Sequence, residues 1–283
     1  MSGWTIGIIG GSGLYAVEGI EDGRWQTVET PWGAPSDAIY TGRVGPVGVA
    51  FLPRHGRGHR IAPSDLNARA NIDALKRLGV TDVLAVSSVG SLVEARPPGS
   101  FTIVDQFIDR TKGRVSSFLG TGLVAHVSMA DPVCPRLSAL IAEAAGDADR
   151  GGTYLAMEGP QFSTRAESRL YRQWGCDVIG MTAMPEAKLA REAELPYALV
   201  GMVTDYDCWR EEAAGVDVAE VIAQLGANAA KARAMVMALL RGLPAERAAS
   251  PIDTCLDSAI ITAQGARDPM LVAKLDAVAG RAL

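Results

Sequence analysis

The chain has 283 residues, 48% of them hydrophobic, with a formal net charge of −5. That length and composition suffice for a buried core. The acidic balance argues against a general nucleic-acid binder, which needs a surplus of Lys and Arg against the phosphate backbone. No segment approaches the roughly 18 apolar residues of a membrane span. Met1-Ser2-Gly3 leads straight into an apolar run without a basic leader, so the expected location is cytoplasmic.

In chain order, Thr5 to Ile9 reads as a buried strand stopped by Gly10-Gly11-Ser12-Gly13. Trp25 to Arg54 carries Pro, Gly and two β-rich runs, Ala38 to Gly42 and Val47 to Leu52, and reads as hairpins closed by Arg54-His55-Gly56. Ser64 to Leu78 has helical spacing of Leu66, Ala70, Ile72, Leu75 and Leu78, with Ser64 as its expected cap and Gly79 at its exit. Asp82 to Val86 is a strand expected to end in a polar loop, Ser87 to Ser91. Phe101 to Val104 precedes a polar loop through Ser128, and Thr153 to Met157 reads as strand. Helices are expected at Pro135 to Ala145, Ser163 to Trp174, about Pro185 to Ala193, and Asp217 to Leu240. Asp177 to Gly180 and Ala198 to Val203 complete the strands. A polar connector, Pro244 to Pro251, leads to two short helical pieces. The alternation predicts an α/β fold.

Four scattered cysteines, Cys134, Cys176, Cys208 and Cys255, form no CxxC pair, which argues against a zinc site. They read as buried free thiols, with a disulfide such as Cys134 to Cys208 as the alternative. Gly11-x-Gly13-x-x-Ala16 fits a dinucleotide fingerprint, with Glu29 near the distance of a ribose-binding acid. That motif needs a helix to follow it. Val17 to Gly23 holds two glycines and leaves no room for one.

Three polar segments at strand ends, 10–13, 54–56 and 87–91, point to one site, because α/β sheets bind ligands beyond the carboxyl ends of their strands. Their hydroxyls (Ser12, Ser87, Ser88), glycine-freed N–H groups and the Arg54 guanidinium suit a tetrahedral oxyanion such as phosphate. Taken singly, Ser12 reads as a turn residue and Arg54 as a surface charge; the recurrence favours the site. Asp205 and Asp207 follow another strand two residues apart, so both carboxylates face one side of an extended chain or, alternatively, cap a helix. None of His55, His59 and His126 is assigned as a general base, and Met181, Met184, Met202 and Phe162 have core packing as their ordinary role.

Six motifs in order resemble the purine nucleoside phosphorylase family, and within it the 5′-methylthioadenosine-cleaving branch. They are Gly-Ile-Ile-Gly-Gly-Ser-Gly-Leu (7–14), Arg-His-Gly (54–56), Asp-Gln-Phe-Ile-Asp-Arg-Thr (105–111), Met-Glu-Gly-Pro-Gln-Phe-Ser-Thr-Arg-Ala-Glu-Ser (157–168), Gly-Met-Thr-Ala-Met-Pro-Glu (180–186) and Thr-Asp-Tyr-Asp-Cys-Trp (204–209). The resemblance implies one α/β domain spanning residues 1–283, with a central mixed sheet partly closed into a barrel and flanked by helices. Residues 244–283 would be a helical extension packed on it. It implies a trimer or dimer of trimers and no cofactor, with a nucleoside and phosphate as the small-molecule partners. Phosphate would be held by Ser12, Arg54, His55, Ser88, the backbone at Val89, and Thr182. Met181 would lie against the ribose and Phe162 against the purine. His126, from a neighbouring subunit, with Val218 and Val221 would surround the 5′ group. Ser12 and Ser88 stand where the vertebrate members commonly have Thr, and keep the hydroxyl.

Phosphorolysis needs an anion held at the anomeric carbon and a proton or hydrogen bond at purine N7. Asp205 is the candidate for the latter, its pKa raised by burial and by Asp207. The 6-oxopurine branch carries Glu after the motif Phe and Asn for the first Asp. Ser163 and Asp205 occupy those positions here, which favours 6-aminopurine nucleosides. The alternative is a phosphorylase for inosine, guanosine or methylthioinosine; a nucleoside-binding module without catalysis and a hydrolase are more remote.

Overall fold

The computed structural model describes residues 3–11, 14, 19–210 and 218–283. The strands are β1 (Thr5–Gly10), β2 (Glu21–Gln26), β3 (Ile39–Val44), β4 (Val47–Pro53), β5 (Asp82–Ser91), β6 (Phe101–Val104), β7 (Gln106–Asp109), β8 (Asp149–Arg150), β9 (Thr153–Ala156), β10 (Val178–Gly180) and β11 (Tyr197–Asp205). The helices are α1 (Ala68–Arg77), α2 (Pro135–Ala145), α3 (Arg165–Gln173), α4 (Ala183–Glu192), α5 (Val218–Gly242), α6 (Pro269–Lys274) and α7 (Asp276–Ala279).

All strands join one mixed sheet that branches at β5. β1 lies parallel between β4 and β5, and β11 is parallel to β5 on another side. β10 meets the distal part of β5 antiparallel, at Gly90 and Ser91. β6 and β7 are separated by Asp105 alone, and β8 and β9 by Gly151-Gly152. The parallel pairs β6·β8 and β7·β9 therefore form one bent ribbon from β11 round to β10, interrupted at those residues. The barrel is partly closed.

Strand alternation sorts side chains to two faces. Val83 and Ala85 of β5 join one core cluster and Leu84 and Val86 the other; Leu199 and Val203 of β11 are likewise separated from Ala198, Val200 and Met202. α1 and α4 cover the first face, α2 and α5 the second. The long α5 buries Asn228, Ala229, Ala232, Met235, Val236 and Leu239 at helical spacing. Asn228 Nδ2 donates to Val203 O at 2.9 Å, satisfying the end of β11. Beyond 244, two 3-10 turns and the short helices α6 and α7 set Leu256, Leu275, Val278 and Ala279 into the first cluster.

Several expectations are corrected. α1 begins at Ala68 with Asn67 as its cap, whose side chain accepts from Ala70 N at 3.2 Å. Ser64 sits instead in a 3-10 turn opened by Pro63, with its hydroxyl bonded to Glu158. Ser87 to Ser91 is no loop: β5 runs on to Ser91 because β11 pairs it through Gly90 and β10 takes over there. The polar stretch after Val104 contains β7, and β2 and β8 were not foreseen. β11 reaches Asp205. Asp217, the expected start of α5, lies outside the described residues. The four cysteines are free thiols, as expected, and only Cys255 is less than fully buried.

Candidate active site

A cavity of about 270 Å³ opens where β1, β4, β10 and β11 end, with Val86 to Gly90 of β5 running along it. Of the sequence-derived candidates, it brings together Arg54, His55, Ser88, Val89, Met181, Thr182, Phe162, Asp205, Asp207 and Val221. Ser12 lies outside the described residues, although its neighbour Gly11 lines the cavity.

At one end Arg54, 2% exposed, leaves the terminus of β4. Its Nε and Nη2 donate to the two carboxylate oxygens of Glu186 at 2.9 and 3.0 Å. Nη1 donates to Val86 O at 2.9 Å and Nη2 to Ile9 O at 3.4 Å. A guanidinium carries five N–H donors, so one remains for a ligand. Beside it, the hydroxyls of Ser87 and Thr182 are 3.0 Å apart. His55 Nδ1 faces Ile61 O at 2.9 Å and its ring stacks on His59 at 4.3 Å. Burial lowers the His55 pKa to about 4; Arg54 and His59 add to this and the Ile61 carbonyl opposes it. This end presents neutral donors and one guanidinium whose charge is already matched.

At the other end stand Asp205 and Asp207. Burial raises the Asp205 pKa against hydrogen bonds from Thr204 and the Asp207 N–H. Burial likewise raises that of Asp207, helped by the Asp205 charge and opposed by the nearby Ser168 hydroxyl and Cys208 N–H, neither of which forms a hydrogen bond with Oδ2. Both carboxyls reach the cavity although Asp207 is not extended: its φ is +51°, so the chain turns there while Tyr206 points away toward Glu94 O. Asp207 Oδ2 is buried without a hydrogen-bond partner among the described residues. Met157, Phe162 and Met181 form an apolar wall, and Val221, Leu225 and Ala229 of α5 another.

Three candidates do not line the cavity of their own chain. Ser163 Oγ lies 3.7 Å from Met157 Sδ, and its carbonyl accepts from the Cys208 thiol at 3.1 Å. Val218 is 57% exposed at the start of α5. His126 is exposed on the segment that bridges Ala125 to Ile260. Conversely, Glu186, Thr204 and Arg114 went unrecognised as part of the site. Glu186 and Thr204 stood inside quoted motifs without a role. Arg114 had no signal: its partners, Met181 O at 2.7 Å, Met184 O at 2.8 Å and Glu158 at 2.6–2.9 Å, are all distant in sequence.

A family model described as the phosphorylase superfamily matches residues 5–241. The S-methyl-5′-thioadenosine phosphorylase of Cereibacter sphaeroides is 61% identical over 284 residues, covering 98% of each chain. That of Rhodospirillum rubrum is 58% identical over 285 residues, covering 99% of this chain and 97% of its own. Among solved structures, a methylthioadenosine phosphorylase from an antarctic soil metagenomic library superposes with a TM-score of 0.91 at 46% identity, covering 98% of this chain and 99% of that one. The Schistosoma mansoni methylthioadenosine phosphorylase in complex with adenine does so with a TM-score of 0.79 at 38% identity, covering 84% and 91%. With a matching family model over most of its length and relatives of this identity, the chain belongs to the phosphorylase superfamily.

Proposed function

We propose that this protein is an S-methyl-5′-thioadenosine phosphorylase, converting 5′-methylthioadenosine and phosphate into adenine and 5-methylthioribose 1-phosphate. The observation that carries this reading is a single cavity joining a hydroxyl-lined Arg54 end to a pair of buried carboxyls with raised pKa values. The curated relatives bear this activity in their names.

Phosphate is held by Ser12, Arg54, His55, Ser88, Thr182 and the Val89 backbone. Its oxygen attacks the anomeric carbon as the C–N bond breaks and the electron pair moves onto the purine. Asp205 supplies the proton at N7, and general-acid help of this kind contributes on the order of 10²–10⁴-fold. Asp207 accepts from the 6-amino group; its buried, unpartnered Oδ2 supports this, since such an oxygen costs free energy until a donor arrives. Met181 packs on the ribose, and Phe162 on the purine with Ser163 behind it. Val221 and Val218 lie toward the 5′ group. His126 reaches that group from a neighbouring subunit in a trimer or dimer of trimers; its exposure and its distance from its own chain's lining support this role. The reaction needs no cofactor, because phosphate is itself the nucleophile.

Residues 1–283 act as one domain with 244–283 packed on it, in keeping with the tail's place in the core. No helix among the described residues is long and apolar enough to cross a membrane, and the protein works in the cytoplasm.

Comparing kcat/KM for 5′-methylthioadenosine and inosine in phosphate tests the base assignment. The 6-aminopurine nucleoside is expected to be preferred; preference for inosine refutes the roles given to Asp205, Asp207 and Ser163.

A further inference from the structure

β11 does not finish as a regular strand. Its ladder with β5 runs to Val203↔Val89, then slips so that Asp205 pairs with Gly90 and Thr204 falls between registers. Such irregularities re-aim a side chain. Here the buried Thr204 hydroxyl is left between two acceptors, with Oγ1 3.2 Å from Val89 O and 2.7 Å from Asp205 Oδ2. One hydroxyl has one proton and cannot donate to both. Asp205 Oδ1 already accepts the Asp207 N–H at 2.7 Å. That bond suits the carbonyl-type oxygen of a neutral carboxyl, so its acid proton belongs on Oδ2, facing Thr204.

Two arrangements of the same atoms follow. With Asp205 neutral and no purine bound, Oδ2–H donates to Thr204 Oγ1 and the Thr204 hydroxyl donates to Val89 O; when the purine binds, Oδ2–H turns from Thr204 to N7. With Asp205 ionised, the Thr204 hydroxyl turns from Val89 O to donate to Oδ2. Resting on the reading of Asp205 as the acid at N7, we propose that Thr204 is a positioning residue whose hydroxyl rotates as Asp205 gives up its proton, stabilising the carboxylate at the moment the purine leaves.

The C–N bond breaks and its electron pair goes to the purine; the Asp205 Oδ2 proton moves to N7; the C–O bond to phosphate forms. The ester then releases to solvent the proton that its hydrogen phosphate carried, and Asp205 recovers one from solvent. The other titratable side chains lining the cavity are Asp207, Arg54, His55 and His59. Arg54 is matched by Glu186 and burial keeps His55 neutral near pH 7; Asp207, two residues from the acid, has its own carboxyl pushed up by burial.

The test is Thr204→Val, which keeps the shape and removes the hydroxyl. A hydrogen bond to a charged group corresponds to about a ten- to hundredfold effect, and kcat for 5′-methylthioadenosine should fall by that amount. Asp205 loses a donor that stabilises its ionised form, so the limb on which kcat declines at high pH should move upward. The phosphate KM should hold. Turnover of 4-nitrophenyl 5-methylthioriboside, whose phenolate needs no proton, should fall far less. Thr204→Ser should return the limb to its place and restore most of the rate. Equal losses on both substrates with an unmoved limb would mean that Thr204 only packs, and overturn the proposal. Asp205→Asn separates the levels. If that variant still turns over 5′-methylthioadenosine normally, the acid assignment and the proposal fall together. If it is disabled while Thr204→Val is not, only the role of Thr204 falls.

Discussion

A guanidinium exposed to only 2% needs a counter-charge, and for Arg54 this is Glu186, which also accepts the Tyr197 hydroxyl at 2.9 Å. Breaking such a pair strands a buried charge, so Glu186→Ala should cost about 3–5 kcal/mol. A denaturant midpoint near that of the parent protein would contradict this. His55 ties the site to pH. In the unfolded chain it titrates near 6.5; in the fold, burial first and the Arg54 and His59 charges second depress it to about 4. Between those values the unfolded chain takes up a proton that the folded one refuses. Its contribution is therefore present above pH 6.5 and is lost as pH falls toward about 4. The loss is on the order of 3 kcal/mol. Unfolding free energies of the ligand-free protein measured across that range should fall more steeply than those of His55→Gln; identical slopes would remove His55 as the cause. At this scale Arg54, Asp205 and Asp207 were legible because each follows an apolar strand. Glu186 was not, since its partner lies 132 residues away and one helical Glu looks like any other.

Among elements, the segments that shape the cavity are tied together by Arg114. Its guanidinium bonds the carbonyls of Met181 and Met184 on the turn holding Thr182, and both the side chain and carbonyl of Glu158 on the segment leading to Phe162. Glu158 in turn accepts from Ser64 and the Lys112 N–H. One side chain thus sets the proposed phosphate side and the proposed purine side relative to each other. Arg114→Met should raise KM for phosphate and nucleoside together and lower kcat/KM on the order of a hundredfold, the scale of a small misplacement of reacting groups. A change confined to one substrate would contradict that coupling. The strong apolar runs of β1, β4 and β11 and the periodic helices α2 and α5 could be read from sequence. β5 was cut short because Ser87 and Ser88 resemble turn residues, whereas pairing with β11 holds them in the strand. β7 and β8, four and two residues long, carry no periodicity of their own and exist through parallel pairing with β9 and β6.

For the whole molecule, the branch at β5 places a phosphate-compatible end and a carboxyl end in one cavity. The α/β class followed from alternation alone, but the branch did not, because it depends on which strand edges meet. The tail is fastened at separate points: Asp82 to Arg247, Arg77 to Asp276, and Glu194 to Arg281. On the proposed reading the nucleoside and the nucleophile share one cavity, so cleavage should require the second substrate. The most direct test is to incubate the purified protein with 5′-methylthioadenosine, with and without phosphate, and follow free adenine together with the sugar phosphate by phosphorus NMR. Adenine should be released only with phosphate, matched mole for mole by 5-methylthioribose 1-phosphate. Equal release without phosphate, giving free 5-methylthioribose, would contradict it.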